Sequence, residues 1–355
     1  MKSVGIIVNP AAGKDLRRLV AHGSNSTHSE KINAVVRMVR ALDALGVERL
    51  RIAPDPSKLG ERAIETAAGD LRTLDAGILE MPWLLGSCSD TERAATLMRE
   101  QDFGCIVVLG GDGTSRAVAS HCGEVPLIPI STGTNNAFPR MLEGTLAGMA
   151  AACIVRAVRG EEALDRAPIL RLLADGEEIS HALVDIAVID TLDSGALAVW
   201  EGHSVRELFL AQARPDSIGL SAIGGCLEPL EPGSGEGLHL ELGKLDAPGC
   251  LHVTAPMAPG LVIRVAVSAH AHFSGRTPVR TTRGVFAFDG ERELAIDGER
   301  NWEVLFDPQG PRVVDVQRAL GLGIARGLFR DDFQPPTDKQ QPLFGSTPWP
   351  IPEQT

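Results

Sequence analysis

Over residues 1–160, short apolar runs alternate with longer segments in which apolar residues recur every three or four positions. The short runs are typical of buried strands, and the longer spacing is typical of amphipathic helices. The pattern predicts strands at residues 4–8, 50–53, 76–81, 105–109 and 127–130, and helices at about 30–45, 57–71, 89–100, after 114 and at 145–158. Ser89 and Asp90 are predicted to cap the third helix. We therefore expect an α/β domain with a parallel sheet over 1–160.

From about residue 165 the apolar period shortens from 3.6 towards 2, and Gly and Pro separate the runs. Runs at 182–189, 238–242, 261–268 and 285–288 predict a second, mainly β domain over 161–312, folded as a sandwich. Helical spacing returns at 313–330 and predicts a C-terminal helix. Six prolines among the last 25 residues predict an extended or disordered tail over 331–355.

The net charge of −12 is divided unequally, with +1 on residues 1–160 and −13 on residues 161–355. This acid excess argues against a nucleic-acid groove, and the absence of Tyr removes much of the basis for base stacking. The chain has no 18-residue apolar run and no signal-like N-terminus, and its six cysteines show no C-x-x-C spacing. We expect a cytoplasmic protein with reduced thiols and no nucleic-acid or membrane partner; monomer and homo-oligomer both remain open.

Gly110-Gly111-Asp112-Gly113-Thr114 directly follows the predicted strand at 105–109. Ligands of open α/β sheets bind outside the carboxyl ends of the strands, where Gly lets backbone N–H groups approach phosphate oxygens. The helix that follows adds its positive N-terminus. A carboxylate beside phosphates repels them unless it binds Mg²⁺ or accepts a proton from an attacking hydroxyl, so Asp112 indicates phosphoryl transfer. A plain tight turn is the alternative interpretation.

Two further turns follow predicted strands and suit the same ligand. The first, from Asn9 to Lys14, is not a Walker A loop because Val8 occupies the position of its first Gly. The second, Gly133-Thr134-Asn135-Asn136, can present hydroxyl and amide groups. Because parallel strands end at one edge of the sheet, we expect all three turns to form one nucleotide site, although each alone could be a structural turn. Its predicted binding residues in these two turns are Asn9, Gly13, Gly133, Thr134 and Asn136.

Together, Asn9-Pro10-x-x-Gly13, Gly110-Gly111-Asp112-Gly113-Thr114 and Gly133-Thr134-x-Asn136 resemble the motifs of the NAD kinase and diacylglycerol kinase superfamily. Ser87-Cys88-Ser89-Asp90-Thr91 and the segment 133–139 are most similar to its acetoin catabolism protein X branch. The resemblance covers about residues 1–315 and is more specific in the first half. It implies a Rossmann-like N-terminal domain, a β-sandwich C-terminal domain and a nucleotide in the cleft between them.

The resemblance also implies an ATP-dependent phosphotransferase of NAD kinase type that uses ATP and Mg²⁺. The acceptor would be NAD or another hydroxyl-bearing metabolite, and the donor would be ATP or polyphosphate. Asp112 would be the catalytic or Mg²⁺-associated carboxylate, and Asp185 would orient the acceptor. The phosphate loop would consist of Gly110, Gly111, Gly113 and Thr114.

Several positions depart from the kinase pattern. Arg116 and Ala117 stand where lipid kinases have Asn-Glu, and Ala137 stands where they have Asp. Val184 replaces the Asn of the NAD kinase pair, of which Asp185 keeps the acid. These differences leave a second interpretation open, a nucleotide-binding regulator that has lost the chemistry and is linked to acetoin catabolism. A lipid kinase is the third, disfavoured because no basic amphipathic helix is apparent.

Two acidic signals in the second half also have plain structural alternatives. Asp289-Gly290-Glu291 resembles an Asp-Gly-Glu motif of the superfamily, which assigns Asp289 and Glu291 to the substrate together with Asp185. Asp-Gly is equally a hairpin signal, and Asp297-Gly298-Glu299 repeats it. For Asp185, a salt bridge to an Arg is the alternative.

Three basic or nucleophilic signals are weaker still. A cluster of three arginines can receive phosphates or form a solvated loop. Two histidines share a strand face, but two ligands do not make a metal site. The segment from Gly219 to Ile223 lacks the second Gly of a nucleophile elbow. The arginines are Arg276, Arg280 and Arg283, and the histidines are His270 and His272.

Overall fold

The computed structural model describes residues 3–12, 26–133, 136–156, 160–190, 204–230 and 233–330. The helices are α1 (His28–Ala44), α2 (Leu59–Ala67), α3 (Cys88–Glu100), α4 (Asp112–Ala119), α5 (Gly144–Arg156), α6 (Ser221–Leu227) and α7 (Val316–Ala325). The strands are β1 (Ser3–Val8), β2 (Arg49–Ile52), β3 (Asp75–Ile78), β4 (Cys105–Gly110), β5 (Leu127–Ser131), β6 (Leu164–Arg166), β7 (Ile169–Ala174), β8 (Glu177–Ala182), β9 (Asp185–Ile189), β10 (Val205–Leu210), β11 (Gly237–Gly243), β12 (Leu251–Ala258), β13 (Leu261–Phe273), β14 (Arg276–Pro278), β15 (Val285–Phe288), β16 (Glu291–Ala295), β17 (Trp302–Asp307) and β18 (Arg312–Val314). No helix in these ranges is long and apolar enough to cross a bilayer.

The first sheet has the strand order β3-β2-β1-β4-β5-β18-β6. Its first five strands are parallel, as the alternation of strands and helices predicts, and this confirms the α/β N-terminal domain. The first core, between the sheet and one layer of helices, holds residues of α1, α2, α5 and α7. The core on the opposite face holds residues of α3 and α4. The carboxyl ends of β1, β4 and β5 therefore share one edge between two helical layers.

Helix α3 begins one residue earlier than predicted. Its N-cap is Ser87, not Ser89 or Asp90, because Ser87 and Asp90 form a capping box. The Asp90 carboxylate accepts hydrogen bonds from the backbone N–H groups of Leu85, Gly86 and Ser87. Burial opposes its ionisation, but these donors and Arg93 hold the pKa of Asp90 below its ordinary value. The loop before α3 is therefore fixed by one carboxylate.

The second domain consists of two antiparallel sheets, with strand orders β12-β13-β11-β10-β9-β15-β16 and β14-β17-β7-β8. This confirms the mainly β prediction, and an aromatic core containing residues such as Phe209, Phe286 and Trp302 lies between the sheets. The run predicted as one strand at 182–189 is in fact two strands. β8 ends at Ala182 in the smaller sheet, and β9 begins at Asp185 in the larger one.

The chain returns to the first sheet after the second domain. β18 pairs in parallel with β5 and antiparallel with β6. The first domain therefore extends past the predicted boundary at residue 160 and regains residues 312–314, at the start of the predicted C-terminal helix. That helix is shorter than predicted, since α7 covers Val316–Ala325. The predicted tail over 331–355 lies outside the described residues.

Two glycines allow α5 to approach α1 closely. A Cβ on Gly144 would lie 2.5 Å from the carbonyl oxygen of Ala34, and one on Gly148 would lie 2.7 Å from that of Met38. Real Cβ atoms do not reach such distances, so larger residues at these positions would force the helices apart. The small residues of α5 therefore set the spacing of this helical layer.

We predict that Gly148→Ala lowers the free energy of unfolding by about 1–3 kcal/mol, because the added methyl group overpacks the helix crossing. Gly321→Ala in α7 is the matched control, since a Cβ there meets nothing within 4 Å. That change should instead stabilise the protein by about 0.5–1 kcal/mol through helix propensity. Urea unfolding measures both; equal effects of the two variants would contradict the tight crossing.

Candidate active site

The Gly-rich turn joins β4 to α4 with one intervening residue. Gly111 is the N-cap of α4, so the helix begins at Asp112 rather than after Thr114. A Cβ on Gly110 would lie 2.5 Å from the Thr114 Cβ, and one on Gly111 would lie 2.9 Å from Asn136 Oδ1. The turn therefore requires Gly at 110 for its own packing, and it points the N-terminus of α4 at the carboxyl edge of the sheet.

Asn9 ties the turn after β1 to the first turn of α4. Its Nδ2 donates to Thr114 Oγ1 at 2.8 Å, and its Oδ1 accepts from the N–H groups of Ala11 (2.8 Å) and Ala12 (3.2 Å). Both ends of the carboxamide thus have partners within the protein. The geometry gives Asn9 an orienting function in the predicted site, while Gly13 lies outside the described residues.

Asp112 ties the third turn to the same helix. Its carboxylate accepts from the backbone N–H groups of Ala137 (3.1 Å) and Phe138 (2.8 Å). Asn136 Nδ2 donates to Ser131 Oγ at 2.7 Å, and that hydroxyl also donates to the carbonyl of Gly133 at 2.6 Å. Gly133 and Asn136 therefore lie beside the Gly-rich turn as predicted. Thr134 is outside the described residues.

Lys31 is a site residue that the sequence analysis missed. It is 1% exposed, and its Nζ donates to the carbonyls of Asn9 (2.9 Å), Pro10 (3.1 Å) and Ala12 (2.7 Å). A buried ammonium with three carbonyl acceptors fixes this turn and brings a positive charge behind it. One sequence feature indicates the burial of Lys31, namely its position one turn before Val35 on the apolar face of α1.

Asp289 is a residue of the second domain that lies opposite α4. It lies in the tight turn between β15 and β16, with a φ of 51°. Its buried carboxylate accepts from the N–H groups of Leu183, Val184 and Asp185, and Arg116 Nε of α4 lies 3.9 Å from its Oδ2. Burial raises the pKa of Asp289, against the opposing effects of Arg116 and these donors. This copy of Asp-Gly forms a hairpin turn, and its carboxylate lies beside α4.

The other predicted substrate residues lie beside Asp289. Asp185 is buried, and its carbonyl accepts from the Asp289 N–H at 2.9 Å. Glu291 is exposed, and its Oε2 would be 3.9 Å from a Cβ on Gly113. The structure thus brings Asp185, Asp289 and Glu291 together, with Glu291 reaching the Gly-rich turn itself.

The structure separates the weaker candidates from this site. Arg276, Arg280 and Arg283 are exposed and pair with three different acids, Glu303, Glu241 and Asp190, which contradicts a shared phosphate cluster. His270 and His272 both contact Glu228, and Glu228 is the main cause that raises the pKa of His272, opposed by burial and supported by Glu236. In the described residues no three His, Cys, Asp or Glu side chains are arranged to hold a metal ion. Asp297 caps an exposed turn at the Glu299 N–H.

We predict different consequences for two Gly→Ala changes in the same turn. Gly110→Ala should lower the free energy of unfolding by about 1–3 kcal/mol, because its methyl group would collide with Thr114. Gly113→Ala should leave stability within about 1 kcal/mol of wild type, since its contact with Glu291 is an ordinary one. If Gly113→Ala still abolishes stabilisation by a polyphosphate ligand, the ligand approaches this backbone. Urea unfolding with and without ligand measures both effects, and equal destabilisation would contradict the close approach at Gly110.

Two family models match this chain, and the boundary between their matches lies close to the boundary between the two domains. A family model described as the ATP-NAD kinase N-terminal domain matches residues 4–157. A second, described as the acetoin catabolism protein X C-terminal domain, matches residues 168–309. The two matches correspond to the α/β domain and to the two antiparallel sheets.

Individual relatives are of two kinds. Two solved structures of a putative diacylglycerol kinase from Bacillus anthracis are similar to this chain. The first is 14% identical with a TM-score of 0.45, and the match covers 88% of this chain and 98% of that structure. The second is 13% identical with a TM-score of 0.43, and the match covers 88% of this chain and 96% of that structure. Acetoin catabolism protein X from Cupriavidus necator is 35% identical over 351 residues, which cover 94% of this chain and 95% of the relative. On this full-length match, the chain belongs to the acetoin catabolism protein X family.

Proposed function

We propose that the protein is an ATP-dependent phosphotransferase of NAD kinase type. It would transfer the γ-phosphoryl group of MgATP to a hydroxyl of NAD or of a related metabolite. The observation that carries the proposal is the convergence on α4: the turns after β1, β4 and β5 meet at its first turn, and Glu291 of the second domain reaches Gly113. The match of residues 4–157 to an ATP-NAD kinase domain supports it.

MgATP would place its phosphates at the N-terminus of α4. The N–H groups of the first helical turn have no partners within the helix and carry partial positive charge. Gly113 leaves its backbone accessible, because among the described residues a Cβ there would meet only Glu291, at 3.9 Å. Mg²⁺ would arrive with the nucleotide, since it is usually held by substrate phosphates together with one or two carboxylates.

The two carboxylates at this turn are suited to different tasks. In the transfer, the acceptor oxygen bonds to the γ-phosphorus, the bond to the bridging oxygen of ADP breaks, and the hydroxyl proton passes to a base. The Asp112 carboxylate already accepts from Ala137 and Phe138, so it suits positioning of the loop. Glu291 is exposed, and its Oε2 would lie 3.9 Å from a Cβ on Gly113. We therefore assign proton acceptance to Glu291 and loop positioning to Asp112, and retain Asp185 as the predicted acceptor-orienting residue.

We predict that the purified protein with ATP, Mg²⁺ and NAD forms NADP. Glu291→Gln should lower kcat by about 100-fold or more, because it removes the base, while ATP affinity changes little. Asp112→Ala should mainly weaken ATP binding, by about 10-fold or more, because it removes the acceptor of both backbone donors. Coupled detection of NADP and titration with ATP separate the two effects. Absence of turnover on every hydroxyl acceptor tested would refute the phosphotransferase.

A nucleotide-binding regulator is the second candidate. It is favoured by the positions where kinases carry polar or acidic side chains and this chain carries Ala137 and Val184. Such a protein would keep the α4 site and lack turnover. Both functions predict binding of adenine nucleotides, and they differ in whether the bound nucleotide reacts.

For the regulator, we predict that saturating nucleotide raises the Tm by about 5 °C or more, without consumption of ATP. The stabilisation comes from ligand binding to the folded state alone. Thermal unfolding with ATP, ADP and AMP, each with and without Mg²⁺, tests this in parallel with ATP hydrolysis and transfer. Turnover that accompanies the stabilisation would exclude the regulator.

A further inference from the structure

Arg116 connects the two domains from within α4. Its Nε lies 3.9 Å from Asp289 Oδ2, and its guanidinium carbon lies 5.7 Å from the ring centroid of Phe288. The Arg116 side chain is 16% exposed and that of Asp289 is 1% exposed. The contact is therefore largely removed from water, which makes its ionic component stronger than that of a surface pair.

The buried Asp289 carboxylate depends on this cation. Among the described residues, the charged side chain that acts on it is Arg116 of α4, and the other groups are the backbone N–H donors of Leu183, Val184 and Asp185. His181 of β8 lies near Arg116. Burial and then Arg116 lower the pKa of His181, which therefore favours its neutral form, and its Nε2 is 2.7 Å from Ser120 Oγ. Among the described residues, Arg116 is the one cation within ion-pair distance of Asp289. An ionised Asp289 without it would have only backbone donors.

The same contact determines where Glu291 lies. Asp289 and Glu291 are two residues apart across one hairpin turn, and Arg116 and Gly113 are three residues apart on one helix. An ion pair between Arg116 and Asp289 therefore holds Glu291 beside Gly113. One turn further along α4, the contact between Ser120 Oγ and His181 Nε2 also joins the two domains.

We propose that Arg116 is a positioning residue that holds the second domain against the phosphate loop and thereby places Glu291 at the phosphates of bound MgATP. The part that concerns Glu291 and MgATP rests on the proposed function. The domain contact itself does not. The competing explanation is that Arg116 only packs on Phe288, in which case its charge would be immaterial.

The first test separates charge from packing by pH. Arg116→Met keeps much of the packing on Phe288 but leaves Asp289 without its cation. Below the raised pKa of Asp289 the carboxyl group is neutral and little is lost; as pH rises through that pKa, the lost pairing appears in full. We expect the Tm difference from wild type to be smallest at acid pH and to grow to about 5 °C or more as pH rises through that pKa. Arg116→Lys should restore a substantial part of it.

Arg166→Met is the matched control, because Arg166 pairs with Glu124 at an exposed site within the first domain. Its Tm difference should be small and nearly independent of pH. A pH-independent loss in Arg116→Met, equal to that in Arg116→Lys, would overturn the ionic role and leave packing alone.

The second test measures domain position directly. Of the six cysteines, the two exposed ones lie in different domains, Cys88 in α3 and Cys226 in α6. With half-buried Cys250 changed to Ser, spin labels on Cys88 and Cys226 report the interdomain distance. We expect a narrow distribution in wild type and Arg116→Lys, and a broader one with longer distances in Arg116→Met. Identical distributions in all three would overturn the proposal.

Kinetics then connect the contact to chemistry. If the phosphotransferase is active, Arg116→Met should lower kcat by about 10-fold or more with ATP affinity within about 3-fold of wild type, because Glu291 rather than the phosphate loop is displaced. If wild type shows no turnover, the proposed function fails while the pH and distance measurements still decide the domain contact. Active wild type with unchanged kcat in Arg116→Met would overturn the positioning of Glu291.

Discussion

The first two turns of α4 are the constraint on which the rest of the site depends. Asp112, Arg116 and Ser120 are spaced by four residues and share one face, which meets the loop after β5 and then the second domain. Thr114 lies away from this face and meets Asn9. Because a single residue separates the helix from β4, its orientation is fixed by the strand. One short element therefore aligns three turns of the first domain with a hairpin of the second.

The departures from the kinase pattern have a common physical explanation in this network. The Ala137 N–H donates to Asp112, and the Val184 N–H donates to Asp289 at 2.8 Å. A backbone donor places no requirement on the side chain it carries, so apolar residues at these positions keep both acids satisfied. Arg116 replaces an amide side chain with a cation that pairs with Asp289. The absence of a polar side chain at positions 137 and 184 is therefore weak evidence that the site has been lost.

The features of the fold that hydrophobic periodicity and strand topology determine can be predicted from the sequence. The parallel strand ends bring Asn9, Gly110 and Asn136 to one edge because βαβ units leave few alternatives. It does not predict the break at Leu183, where an apolar run looks like one strand but its backbone turns towards Asp289. Lys31 and Arg116 were missed as partners for a related reason. Lys31 donates to backbone carbonyls, and Arg116 pairs with a carboxylate. Because these acceptors are distant in sequence, the pattern of side chains along the chain does not predict the pairings.

The position of Lys31 also bears on how an acidic chain could hold the polyphosphate of the proposed function. The net charge of −12 is largely carried by the second half, and salt screens exposed charges over about 8 Å at physiological ionic strength. Lys31 behind the Asn9 turn is largely shielded from solvent, so counterions screen it less. Its field adds to that of the α4 N-terminus at short range. For the proposed function, the local potential at the turn therefore matters more than the total charge of the chain.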